Sequence, residues 1–163
     1  MKYHDAYEDT KTMMIRLMTM LLFLLPAGLC QAQVLQPVDW QFSARKIAEN
    51  TYEVRLTATV DEPWAIYAVD TPEGGPLPTT ITFQENPMVL HRGKTRQLGK
   101  LHRRQDRTFG VEVHYFTGKV AFIQVVRLRA PVKTQLSGTV EYMACDKERC
   151  LPPQVIPFTL MLP

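Results

Sequence analysis

Residues 51–60, TYEVRLTATV, alternate strictly between apolar and polar side chains. Tyr52, Val54, Leu56, Ala58 and Val60 fall on one side, and Glu53, Arg55, Thr57 and Thr59 on the other. A pleated strand turns successive side chains to opposite faces, so this stretch is expected to be a strand with one buried and one wet face. A strand cannot cover its own apolar face, and a second packed layer must exist elsewhere in the chain.

The rest of the sequence supplies that layer. Trp40 and Phe42 are apolar and two apart, and Glu49-Asn50 offers turn chemistry ahead of residue 51. Further strands are expected at 64–69, 80–84, 109–115, 119–128, 134–142 and 155–162. The run VAFIQVVRL (120–128) is apolar on both faces in its first half, as a central strand should be. No i, i+3, i+4, i+7 apolar stripe persists for three turns, so helix should be nearly absent. Pro72, Pro76, Pro78, Pro87, Pro131, Pro152 and Pro153 all fall between the proposed strands, where a missing amide donor breaks no ladder. With 45% hydrophobic and 21% charged residues, the composition excludes a disordered or collagenous chain, and 163 residues suit one domain. The expectation is an all-β fold of two packed antiparallel sheets, with a closed barrel as the alternative.

The N-terminus has the pattern of an export signal. In MMIRLMTMLLFLLPAGLCQA (13–32), Arg16 precedes a short apolar core from Leu17 to Leu25, Pro26 and Gly28 break it, and Cys30 and Ala32 occupy the small-residue positions of a cleavage site. The apolar run falls short of the roughly 18 residues a membrane span needs. Residues 1–32 are therefore expected to be a signal peptide cleaved after Ala32, with Met13 as an alternative start, and residues 33–163 the folded domain. Acylation of Cys30 is the competing reading, disfavoured by the bulky Leu29. Cleavage removes three basic residues (Lys2, Lys11, Arg16) and three acidic ones (Asp5, Glu8, Asp9), so the net charge of +3 is unchanged. The product would be periplasmic or secreted, with no stable membrane insertion.

Of the three cysteines, that leaves Cys145 and Cys150, in YMACDKERCLPP (142–153) and in a compartment where disulfides form. Their sulfurs meet if the chain turns back through residues 146–149. One reading is a structural staple. Against it, closing so short a loop should stabilise by only about 2 kcal/mol on the chain-entropy estimate. A local bridge suits redox exchange at least as well. Lys147 and Arg149 favour a thiolate, Asp146 and Glu148 oppose it, and the adjacent charges cancel. A metal site drawing on His91, His102 or His114 is disfavoured, because no second ligand pair shows zinc-type spacing.

Three segments together resemble a known family, the N-terminal periplasmic domain of the thiol:disulfide interchange protein DsbD. YMACDKERCLPP is similar to its redox motif. WAIYAVDTPEGGPLPTTITF (64–83) resembles its early segment, with EGGPLPT as in stand-alone, Bacteroidetes-like versions. VHYFTGKVAF (113–122) resembles the hairpin that carries its cap loop. The resemblance spans nearly all of residues 33–163 and implies an immunoglobulin-like sandwich. It further implies that Cys150 forms mixed disulfides with partners and that Cys145 resolves them. Phe116 would be the aromatic shielding the disulfide, with His114, Tyr115 and Thr117 completing a tight cap loop around Gly118. Two departures stand out: the better-known proteobacterial motif has one more residue between its cysteines, and its cap loop is acidic. The resemblance covers neither a transmembrane electron carrier nor a thioredoxin-like domain, so reductant is expected from another polypeptide. The implied activity is thiol:disulfide exchange without a cofactor, between a membrane-embedded electron donor and thioredoxin-like envelope proteins. The competing reading is a non-enzymatic envelope binding module with a permanent disulfide.

Residues 91–107, HRGKTRQLGKLHRRQDR, hold seven Lys or Arg against Asp106 alone. Such a run is commonly a solvated hairpin, and otherwise a docking surface for an acidic partner. No stacking aromatic interrupts it, which argues against nucleic acid as the partner.

Overall fold

The alternation at 51–60 is realised residue by residue in the computed structural model, which describes residues 35–107 and 110–162 together with Met13, Met14 and Arg16. The proposed cleavage point after Ala32, and Phe109 in the expected strand 109–115, lie outside the described residues. Met13, Met14 and Arg16 are helical and belong to a separate unit, Met1–Leu35; the remainder, Gln36–Pro163, forms one compact unit.

Nine strands are found among the described residues: β1 Val38–Ala48, β2 Thr51–Val60, β3 Ala65–Tyr67, β4 Thr80–Phe83, β5 Val89–Gln105, β6 Glu112–Leu128, β7 Thr134–Tyr142, β8 Ala144–Cys145 and β9 Gln154–Leu162. One sheet runs β1-β2-β6-β3-β8 with β5 on the other edge of β6, and the second runs β4-β7-β9. Every pairing is antiparallel. Asn50 closes the β1–β2 turn at φ 52°, a conformation that Asn tolerates better than most residues.

The five apolar residues of β2 are all buried, as the alternation requires. They pack with Phe116, Val120, Phe122 and Val126 of β6 against Leu136, Val140 and Tyr142 of β7 and Phe158 and Leu162 of β9. An aromatic contact connects the layers, Phe42 of β1 stacking on Phe158 of β9 at 5.2 Å, and within the second sheet Phe83 meets the same ring edge-on at 5.7 Å. The seven interstrand prolines lie outside strands. Pro157 is inside β9, which among the described residues pairs with β7 alone and so has an edge free of ladder partners.

The basic run lies in a solvated hairpin: all but its last two residues belong to β5, a strand absent from the expected ones, which pairs antiparallel with β6 from Val89↔Leu128 to Gln105↔Glu112. As an edge strand it carries Lys or Arg at six of its twelve exposed positions, which also discourages edge-to-edge aggregation. One expectation needs correction, the tight loop at residues 115–119. β6 passes through it as one strand of 17 residues. Gly118 adopts φ +66°, and the facing register steps from Gly99↔Val120 to Leu101↔Phe116. Glycine absorbs the irregularity as a bulge, so the strand bends without ending.

At that bulge β6 changes neighbours. Val60↔Gly118 is its last pair with β2, and Ile66↔Phe116 and Tyr67↔Tyr115 pair it with β3. β3 in turn carries β8, through Ala65↔Cys145 and Ile66↔Ala144. This short three-strand extension positions the disulfide.

Candidate functional site

Strand parity decides which side of the sheet each residue serves. Ala144, Ile66 and Phe116 form one row across β8, β3 and β6, and all three belong to the main core. Cys145 is paired with Ala65, so it shares the opposite face with Tyr67 and Tyr115. On that outer face Tyr67, Val113 and Cys145 form a second buried cluster, flanked by Val111, Tyr115 and Met143.

Cys145 and Cys150 are joined by a disulfide, with Cα atoms 4.0 Å apart. The chain between them folds back tightly. Asp146 N–H donates to the Arg149 carbonyl at 2.9 Å, and Leu151 N–H to the Ala144 carbonyl at 2.9 Å. Asp146 Oδ1 accepts from the backbone N–H groups of Glu148 and Arg149, both at 2.7 Å. These donors, first Glu148 and then Arg149, hold the Asp146 carboxyl below its ordinary pKa. The Arg149 guanidinium lies over the Trp64 ring at 5.8 Å, which anchors the turn to the sandwich. The two cysteines differ in exposure: Cys145 is 3% exposed, whereas Cys150 is an exposed residue.

A cleft of about 260 Å³ opens at the disulfide, lined by Tyr67, Arg104 and Asp106 and by the turn from Cys145 to Cys150. Arg104 contacts Asp106 Oδ2 at 3.3 Å and places its guanidinium 5.2 Å from the Tyr115 ring centre. Burial pushes the Tyr67 phenol above its ordinary pKa; the Arg104 charge and hydrogen bond oppose that shift, while Asp106 and Tyr115 add to it. Tyr115 also stacks on His102 at 5.2 Å. Sequence alone does not mark Tyr67, Arg104 and Asp106 as site residues, because Tyr67 reads as an ordinary strand residue and the other two lie within the basic run. Once β5 is known to pair with β6, period two puts Arg104 opposite Val113, on the disulfide's face.

The four residues expected to form a cap are dispersed. Phe116 is 2% exposed on the core face, edge-on to Phe122 at 6.3 Å, and the sheet itself separates it from the cysteines' side. Its position is that of a core aromatic. His114 lies on the same side of β6 as Phe116, with Nε2 3.0 Å from Glu112 Oε1 and its backbone N–H donating to Thr71 Oγ1 at 2.9 Å. Thr117 is exposed beside the bulge. Of the four, Tyr115 packs with the disulfide cluster. His91 lies against Phe83 at 4.7 Å, and no group of three or more potential metal ligands occurs among the described residues.

The family described as "Thiol:disulfide interchange protein DsbD, N-terminal" matches residues 31–161. Among solved structures, the chain is similar to the N-terminal domain of DsbD from Neisseria meningitidis in its reduced form, with TM-score 0.51 and 13% identity, over 77% of this chain and 88% of that one. It is also similar to the N-terminal periplasmic domain of ScsB from Proteus mirabilis, with TM-score 0.53 and 14% identity, over 79% of this chain and 49% of that one. This chain thus spans about half of the second structure. At such identities the likeness is one of fold, an immunoglobulin-like antiparallel sandwich. No curated protein matches the chain.

Proposed function

Because the chain belongs to the family of DsbD N-terminal domains, we propose that it is an exported thiol:disulfide exchange module that passes reducing equivalents from a membrane-embedded donor to thioredoxin-like envelope proteins through Cys145 and Cys150. The observation that carries this reading is the unequal access to a local disulfide, with Cys150 exposed and Cys145 buried.

The chemistry follows from that asymmetry. A donor thiolate attacks Sγ of Cys150, the Cys145–Cys150 bond breaks, and its electron pair leaves on Cys145 Sγ, which takes up a proton. The donor's second thiol then attacks the mixed disulfide, which oxidises the donor and leaves both cysteines of the domain reduced. With an oxidised client the steps reverse: the Cys150 thiolate attacks, and Cys145 displaces the reduced client. The residues of the cleft need no cofactor for these steps. Tyr115, on the disulfide's face, is the expected cap residue that remains suited to shielding the bond; residues 1–32 act as the export signal.

The experiment is to equilibrate the protein with glutathione and dithiothreitol redox buffers and measure the potential of the pair. An exchanging pair should lie above about −300 mV, where structural bridges typically end. A value below that limit, with no mixed disulfide trapped through Cys150 in a Cys145→Ser variant, would turn the reading to a permanent staple in a binding module.

A further inference from the structure

The face that carries the disulfide does not end at the cleft. On β6 the residues sharing that face with Val113 and Tyr115 are Ala121, Ile123 and Val125, and their partners on β5 are Leu98, Arg96 and Arg92. Together with His102 and Arg104, these residues make a single track along the outer face of β5. From Arg96 to Arg104 the track spans roughly 25 Å, at the usual rise per strand residue. Its inner end lines the cleft through Arg104.

Its chemistry is one-sided. Arg92 and Arg96 on this face are exposed, as are Lys94 and Lys100 at the two register shifts of β5 and Arg103 on the opposite face, and none has a carboxylate in ion-pair contact among the described residues. Arg104 alone is paired, to Asp106. The nearby acids are otherwise engaged: Glu112 with His114, and Asp70 accepting from Gln97 Nε2 at 2.9 Å. Amid these cations Leu98 is 60% exposed, a large apolar side chain with nothing over it. A solvated edge would be protected by charge alone; two unpaired arginines beside an exposed leucine, on a face that leads to the exposed Cys150, have the composition of a recognition surface.

We propose that the outer face of β5, from Arg92 to Arg104, docks an acidic segment of the thiol-bearing protein that reacts at Cys150, with Leu98 meeting an apolar residue of that segment. The inference rests on the exchange reading above and adds the kind of partner and the route of its approach. The cationic track steers the acidic segment and raises the encounter rate, and the sulfur at its end receives the attacking thiolate.

The test uses a synthetic peptide with a run of Asp and Glu ahead of one Cys, its Lys-substituted counterpart, and dithiothreitol. The readout is the rate of mixed-disulfide formation for each peptide, divided by the dithiothreitol reduction rate of the same protein. At low ionic strength the acidic peptide should exceed the basic one by about tenfold, and the excess should vanish both in high salt and in the Arg92→Glu/Arg96→Glu variant. A Cys→Ser version of the acidic peptide should shift the backbone amide signals of β5 without any thiol chemistry. Equal normalised rates for the two peptides, with the pair still reducible by dithiothreitol, would overturn the docking surface and leave the exchange reading standing. A pair that resists dithiothreitol, while the Ser peptide still shifts β5, would overturn the exchange reading and retain the surface. Amide shifts produced by phosphatidylglycerol vesicles and not by the acidic peptide would assign the track to a membrane surface and overturn the proposal.

Discussion

Tyr115 and Phe116 are consecutive in the chain and serve opposite faces of one sheet. Tyr115 stacks on His102 at 5.2 Å beside the disulfide cluster, and Phe116 meets Phe122 edge-on at 6.3 Å inside the sandwich. Phe116→Ala should therefore behave as a core truncation and cost about 3–5 kcal/mol, with the dithiothreitol reduction rate of the folded protein unaltered. Tyr115→Ala should do the reverse, speeding reduction by small thiols with a smaller loss of stability. Denaturant unfolding and stopped-flow reduction on both variants check the pair of outcomes. A faster reduction in Phe116→Ala would restore the cap role to that residue.

The unequal exposure of the two cysteines makes a second prediction. Cys150 is exposed and Cys145 buried, so the thiol left in Cys145→Ser should react with an aromatic disulfide reagent at least about tenfold faster than the thiol left in Cys150→Ser. Absorbance traces of the two single variants give the rates directly. Equal rates would remove the basis for assigning attack to Cys150.

The sequence made some of these relationships visible and hid others for physical reasons. The strands 51–60 and 134–142 were legible because each has one buried and one solvated face, and both occur with those bounds. β5 was hidden because an edge strand with a solvated outer face carries cations where an interior strand would carry valines. β6 looked like two strands because Gly118 usually marks a turn, whereas here it forms an in-line bulge. β8 has two residues, too few for any period, and exists because β3 offers it an edge. The cysteine motif needed no geometry to be noticed. Which aromatic faces it did, because a bulge and a chain turn leave the facing ambiguous until the register is known.

The disulfide should contribute little to overall stability. It closes a loop of sequence separation 5, already held by the Asp146–Arg149 and Leu151–Ala144 backbone hydrogen bonds. Cys145→Ser with Cys150→Ser should cost about 2 kcal/mol and still fold. Urea unfolding of the oxidised protein and the double variant measures the difference. A double variant that fails to fold would show the bridge to be a structural requirement.

Asp146 supplies a pH dependence. Its carboxylate accepts two backbone N–H groups, which lowers its pKa in the folded protein. A depressed carboxyl pKa gives stability that is fully present above the unfolded value of about 3.9 and is lost as pH falls through the lower folded value. Wild-type stability should thus fall below about pH 4, and Asp146→Ala should flatten that part of the fall while being less stable at neutral pH. Urea midpoints at neutral pH and across the acid range test this. Parallel acid limbs for the two proteins would mean that the turn does not depend on the charged carboxylate.

The sharpest packing prediction lies away from the disulfide, at Gly138 on β7. Gly138 pairs with Phe83 of β4 on one side and with Phe158 of β9 on the other. A Cβ there would fall 2.4 Å from the Thr82 carbonyl oxygen and 2.7 Å from Cζ of Phe158. The first neighbour is backbone and cannot swing away, and the second is a ring already fixed by Phe42 and Phe83. Relief therefore requires the strands to separate or the ring to leave its stack. Overpacking of this kind costs about 1–3 kcal/mol, and Gly138→Ala should lie at or above the top of that range because both obstructing groups are held in place. Gly118→Ala makes a useful contrast. No heavy atom lies within 4 Å of its Cβ position, so only the positive φ opposes the substitution, at roughly 1–2 kcal/mol. If chemical denaturation ranks Gly118→Ala as the more damaging of the two, the tight apposition of β4, β7 and the Phe158 ring is wrong. If Gly138→Ala is the worse, as expected, trimming the ring in the Phe158→Leu background should reduce the additional penalty of the alanine methyl, and a double-mutant cycle would measure that coupling.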